Sequence, residues 1–271
     1  MDRIRKALDL ARQERDRRHD PVAGQDPADG IPHPSSLAAI DYRVTQVFTP
    51  RPGQLESTRI LDPSGSAPAA HAFRMLRTQV LQRMEENGWR SLAVLSPVAA
   101  DGKSTVAINL AACLANDRRH TVLLVDADLK SPAVARTLGI DPPFGIDDVL
   151  LGEARVEQCL YHPAGFDRLV VLPARSPLAN SSELLAGPRG RALAAELRGR
   201  YADRLVVYDL PPVLLADDAL AFLQAVECGL MVVSERGTRR EDLVRCMEIV
   251  GRTPIVGTVL NRASDFHQAY G

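Results

Sequence analysis

One decapeptide restricts this chain more than any other feature. Ser96 to Thr105 reads SPVAADGKST, and it joins the apolar run SLAVL to the run VAINLAACLA. A short strand that turns through Gly-Lys-Ser-Thr into a helix is the setting of a phosphate-binding loop. The free N–H groups and positive dipole end of such a helix hold phosphate oxygens. Lys103 would neutralise the β- and γ-phosphates of a nucleotide, and the Ser104 hydroxyl would ligate Mg²⁺. Ala100, Asp101, Gly102 and Thr105 would complete the cradle. The general pattern is a glycine, four residues and then Gly-Lys, and Pro97 stands where that first glycine would be. The reading therefore depends on what surrounds the loop.

The surroundings agree with it. From about Ala70 the pattern alternates: a helix over 70–86, a strand over 92–95, a helix over 103–116 and a strand over 121–125. Further strands follow near 169–172, 205–208, 230–234 and 255–260, with helices centred near Leu193, Leu220 and Val244. Runs such as LVVY and LMVV suit strands buried on both faces. This order predicts a doubly wound α/β domain, a mostly parallel sheet with helices on both sides. Asp126 and Asp128 close the strand VLLVDAD, and Asp209 closes LVVYD. All three fall at the carboxyl edge of the sheet, where ligands of open α/β sheets bind. Carboxylates there can hold magnesium or its waters, or take a proton from an attacking hydroxyl. One aspartate at a strand end can simply cap a turn. Three opposite Gly-Lys-Ser-Thr argue for a nucleotide site.

The flanks differ in character. Residues 1–20, MDRIRKALDLARQERDRRHD, place Met1, Ile4, Leu8 and Ala11 on one narrow stripe of an amphipathic helix. Residues 21–69 form a Pro-rich linker, largely irregular, with one short strand expected over 42–48. The ATP-binding domain is expected over 70–265, and a short tail over 266–271. Thirty-three basic residues against 34 acidic ones leave a net charge of −1, which recruits neither nucleic acid nor an anionic membrane. Cys113, Cys159, Cys228 and Cys246 are far apart and lie in apolar runs, as buried thiols of a reducing compartment do. No apolar run has the length of a transmembrane segment, and the charged N-terminus is unlike a signal peptide, so a cytoplasmic protein is expected.

At this point the sequence resembles the bacterial tyrosine kinases of polysaccharide synthesis, the BY-kinases. SPVAADGKSTVAINLA is similar to their variant phosphate loop, which also begins Ser-Pro. VLLVDADLKSP and VVYDLPPVLLADDA resemble their two acidic motifs; RLVVLPARSPLANSSELL and GTVLNR resemble the segment between and the last strand. The resemblance implies an ATP- and Mg²⁺-dependent protein-tyrosine autokinase that regulates exopolysaccharide polymerisation or export. It assigns phosphates and metal to Lys103, Ser104 and Thr105, metal placement and acceptor activation to Asp126 and Asp128, metal support to Asp209, and adenine recognition to Asn261. In HAFRMLRTQV, Arg74 and Arg77 match a family helix that packs subunits into a ring, although His71 replaces its glutamate. The N-terminal helix is similar to family members separate from their membrane-spanning activator, a polysaccharide chain-length co-polymerase. That partner would bring the protein to the inner face of the membrane.

Three departures limit the match. Ala99 and Ala100 stand where the family usually has Pro and Gly, and alanine resists positive φ. Leu210 follows Asp209 in place of a hydroxyl residue, removing a group from the metal's surroundings. The tail ASDFHQAYG offers Tyr270 as its one phosphoacceptor, where the family has several tyrosines. Two alternatives stay open: a nucleotide-binding regulatory subunit with weak or no kinase activity, and a partition-type ATPase switch. The second is weakened by Val98, which occupies the position of that class's signature lysine.

Overall fold

The structure is a computed structural model, and it describes residues 45–264. The expected helix over 1–20, residues 21–44 of the Pro-rich segment, and Tyr270 lie outside the described residues. In chain order come β1 (Gln46–Phe48), α1 (Gln54–Ser57), α2 (Pro68–Asn87), β2 (Ser91–Leu95), α3 (Lys103–Ala115), β3 (Thr121–Asp126), α4 (Val134–Leu138) and α5 (Ile146–Leu151). A 3₁₀ turn (Val156–Cys159) then leads to β4 (Tyr161–Pro163), β5 (Leu169–Leu172), α6 (Ser181–Ala186), α7 (Pro188–Gly199), β6 (Arg204–Asp209), α8 (Asp218–Leu223), β7 (Cys228–Ser234), α9 (Arg240–Val250) and β8 (Ile255–Asn261).

These strands form one sheet in the order β1-β4-β5-β3-β6-β2-β7-β8. Every pair is parallel except β4 with β5. Alternate strand residues serve opposite faces, as the pleat requires. Leu123, Val125, Val206, Tyr208 and Met231 join a core under one face. Leu92, Val94, Val122, Leu124, Val207 and Leu230 join a second core with α3 under the other. Burying such a side chain contributes about 2 kcal/mol each. Burial from both sides explains why these strands read as unbroken apolar runs. The helix α2 opens with Pro68 in its first turn and stops at Gly88, whose φ of 68° makes the left-handed C-cap.

The phosphate loop leaves the carboxyl end of β2, between β6 and β7. Register then fixes the acids: Asp126 of β3 lies beside Asp209 of β6. A second tie braces α5 against the segment after β5. Asp148 accepts Arg175 Nη2 at 2.8 Å, Arg175 Nε at 3.1 Å and the Gly145 N–H at 2.8 Å. All four cysteines are buried free thiols, and burial pushes Cys113 up to about 11 and Cys159 to about 12.

The Pro-rich segment departs from expectation, because its end belongs to the domain. β1 pairs with β4, and Ile60 is buried against Val80, Leu81 and Met84. The Asn109 side chain on α3 accepts the Leu61 N–H at 2.8 Å and donates to the Arg59 carbonyl at 3.0 Å. Scattered single anchors of this kind leave no periodic signal. Arg74, expected at a subunit contact, donates through Nη1 to the carbonyls of Pro63 and Gly65 at 3.0 and 2.8 Å. It straps its own chain. Arg77 is part-buried on the same helix, and its Nε has no hydrogen-bond acceptor.

Candidate active site

The loop's conformation rests on two residues with positive φ. Gly102, at φ 87°, is the N-cap of α3, and a Cβ there would collide with Asn261 Nδ2. Glycine is required on both counts. Ala100 stands at φ 65°. The chain thus adopts the turn despite alanine, at a steric cost of about 1 kcal/mol.

Neighbouring strands hold the loop in place. Asn261, at the end of β8, donates from Nδ2 to the Asp101 carbonyl at 2.8 Å, while its Oδ1 accepts the Arg262 N–H at 2.9 Å. The Asp101 side chain is almost fully buried and accepts from Thr238 Oγ1 at 2.8 Å. Thr238 Oγ1 in turn accepts the Ser234 N–H from β7 at 2.8 Å. Burial raises the Asp101 carboxyl above its ordinary value, against the opposing pull of the Thr238 hydrogen bond. On the other side, the segment after β6 bonds to the loop's entry, Val213 N–H to Ser96 O at 2.9 Å and Leu214 N–H to Pro97 O at 3.1 Å.

Beneath the loop lies a buried charge cluster. Lys103 Nζ is 2.6 Å from Asp209 Oδ1 and 3.5 Å from Asp128 Oδ2. Burial presses the ammonium toward neutrality, but Asp209 and then Asp128 outweigh it, and the Lys103 pKa is raised on balance. Asp126 Oδ2 accepts the Ala133 and Val134 N–H groups at 3.0 and 2.9 Å, pinning α4. Burial first, and then the charge of Asp209, raise the Asp126 carboxyl. Asp128 is raised too, by burial, with Lys103 opposing.

A cleft of about 470 Å³ opens above this cluster. The loop residues Ala100 to Thr105 line one wall, with Asp128 beside them; Pro211, Pro212 and Leu215 line another. Asp126 and Asp209 have no exposed surface and lie under the cleft rather than in it. Leu210 is likewise fully buried, in the core with Tyr208 and Val213. Sequence reasoning also missed the Asp101–Thr238 pair and two cations of the cleft, Lys130 and Arg136. The residue after an acidic motif and a helix residue eight positions on carry no spacing signal of their own.

The donor set fits a magnesium nucleotide. Asp126 Oδ1 and Asp209 Oδ2 are buried oxygens without a hydrogen-bond donor, and Ser104 lines the cleft. Oxygen groups of this kind suit a hard cation. Among the described residues no group of three or more His, Cys, Asp or Glu side chains is arranged to hold a metal unaided.

Comparison with known proteins places this geometry among relatives. The model of the CobQ/CobB/MinD/ParA nucleotide binding domain matches residues 92–269. The tyrosine-protein kinase YwqD of Bacillus subtilis is 28% identical over 202 residues, covering 73% of this chain and 84% of YwqD. The succinoglycan biosynthesis transport protein ExoP of Rhizobium meliloti is 30% identical over 216 residues, 76% of this chain but 26% of ExoP. The chain thus spans most of one curated relative and about a quarter of the longer ones. The kinase domain of the Escherichia coli tyrosine kinase ETK superposes with a TM-score of 0.66 at 27% identity, covering 76% of this chain and 80% of that domain.

Proposed function

The chain belongs to the CobQ/CobB/MinD/ParA nucleotide-binding family, and from that premise we propose that it is an ATP-dependent protein-tyrosine kinase acting in exopolysaccharide polymerisation or export. The observation that carries the reading is Lys103, buried at the base of a phosphate loop between Asp209 and Asp128. A buried cation with two carboxylates at the carboxyl edge of a parallel sheet is equipment for phosphoryl transfer, which depends on positioning and charge neutralisation.

The roles follow from placement. Lys103 exchanges part of its contact with Asp209 for the β- and γ-phosphate oxygens. Ser104, with waters held by Asp126 and Asp209, would hold Mg²⁺, which when bound would neutralise charge on the same phosphates. Asp128 lines the cleft with a raised pKa, so it serves as the proton acceptor for a tyrosine phenol. The phenol oxygen bonds to the γ-phosphorus as the bridging bond to ADP breaks, and the phenolic proton goes to Asp128. Asn261 braces the loop at its adenine side. Tyr270 is the phosphoacceptor assigned to the chain itself. Among the described residues no helix is long and apolar enough to cross a membrane, and the proposed activator is a membrane-spanning polysaccharide co-polymerase. Ring assembly through α2 would leave Arg74 to its strap and use exposed side chains such as Met75.

The test is phosphotyrosine mapping by mass spectrometry after incubation with Mg-ATP, alone and with a co-polymerase cytoplasmic segment, beside Lys103→Ala. Phosphate on Tyr270 or on the partner that vanishes in the variant is the expected result. Nucleotide bound without any phosphotyrosine under either condition would overturn the reading in favour of a regulatory binder.

A further inference from the structure

Asp218 has no exposed surface, although it is a carboxylate in a loop-proximal turn of α8. Its counter-charge is Lys130, whose Nζ lies 2.8 Å from Asp218 Oδ2 and 3.0 Å from the exposed Asp217 Oδ1. The ammonium donates a hydrogen bond to Asp217 Oδ1, while neither Asp218 oxygen meets the geometry of a directed hydrogen bond, so Asp218 holds it by close charge rather than by a strictly aimed contact. Burying a carboxylate is costly unless a cation stays close, so Lys130 cannot wander far from this point.

The place where Lys130 is held matters. It lines the same cleft as Lys103 and Ser104, and its side chain is 40% exposed. It follows Asp128 by two residues, and the Asp128 Oδ1 accepts the Ser131 N–H at 3.1 Å, so the Asp128 carboxylate and the Lys130 backbone form one turn. Lys103 rises from the loop wall of the cleft. Lys130 reaches the same cleft from the turn that follows β3, two residues beyond Asp128, and its ammonium is tied to Asp217 and Asp218 at the start of α8. A nucleotide on the loop would therefore meet two cations in one cleft, Lys103 and Lys130, with Asp128 between them in the lining.

We propose that Lys130 is a second phosphate-binding cation, contacting the terminal phosphoryl group rather than the inner phosphates, and that the buried Asp218 is its positioning residue. The inference rests on the nucleotide reading of the cleft and deepens it. Lys130 keeps Asp218 as its anchor while one of its N–H groups turns to a terminal phosphate oxygen. The pair also joins the β3 turn to α8, so the cation arrives together with the acceptor wall.

The test compares affinities for a non-hydrolysable ATP analogue and for ADP, both with Mg²⁺, by calorimetric titration. Lys130→Met should weaken the ATP analogue about tenfold and ADP less than twofold, since only the former carries the terminal phosphate. Lys130→Arg should recover most of the loss. Asp218→Asn should reduce the ATP-to-ADP preference, and should add nothing in the Lys130→Met background. Equal losses for both nucleotides, or no loss in Lys130→Met, would overturn the proposal. If Asp218→Asn does not fold, the two Lys130 variants decide alone. These affinities are measured whether or not phosphotyrosine is formed, so failure here is separate from failure of the kinase reading.

Discussion

Ala100 is the residue at which sequence and backbone pull apart. Its φ of 65° is a conformation that glycine accepts freely and alanine does not. Ala100→Gly should therefore stabilise the fold by about 0.5 kcal/mol, the removed strain exceeding the added unfolded-state entropy. Chemical denaturation with and without Mg-ATP checks the sign. A loss of stability on introducing glycine would mean that the methyl packs usefully. Gly102 is the opposite case, because its Cβ would collide with the Asn261 amide as well as strain the backbone. At this scale the meeting of Lys103 with Asp128 and Asp209, and of Asp126 with Asp209, was legible in the sequence, because their positions beside strand ends bring them to one edge of the sheet. It was silent on Thr238, Lys130 and Asp218. Asp101 and Thr238 meet across 137 positions, and Lys130 meets Asp217 across 87, so only the fold makes them neighbours.

Among the elements, the strands buried on both faces were the most legible. β3, β5, β6 and β7 are apolar along their interiors, and their positions were predicted to within two residues. At the margins β1 falls inside the strand expected over 42–48, but β4 is the Tyr-His-Pro triplet, too short and too mixed to stand out. Helix α5 shows how such margins are held. Burial pushes the Asp148 carboxyl up, but the Arg175 hydrogen bonds and the Gly145 N–H pull it below its ordinary value on balance. A carboxyl with a depressed folded-state pKa stabilises the protein above its unfolded value and loses that contribution as pH falls through the folded one. Asp148→Asn should cost about 2 kcal/mol at neutral pH. The difference from wild type in urea midpoint should shrink below roughly pH 4. A difference that stays constant down to pH 3 would show that charge is not what ties α5 to the segment after β5.

In the molecule taken whole, one sheet carries every part of the site, and the parts come from distant stretches of chain. The loop follows β2, the acids follow β3 and β6, and the braces come from the ends of β7 and β8. Asn261→Ala should leave the far-ultraviolet dichroism unchanged, because β8 retains its pairing with β7. It should weaken Mg-ATP binding about tenfold by releasing the Asp101 carbonyl. Binding equal to wild type would show that the loop holds its shape without β8.

The Asn261 contact also has a meaning in time. A ribosome makes the phosphate loop 160 residues before the amide that seats it. A nascent chain paused anywhere between the two has the nucleotide's signature sequence without its receptor. Full affinity for ATP is then reached only after Asn261 has been made, and copies cut short before it should hold the nucleotide more weakly than finished ones.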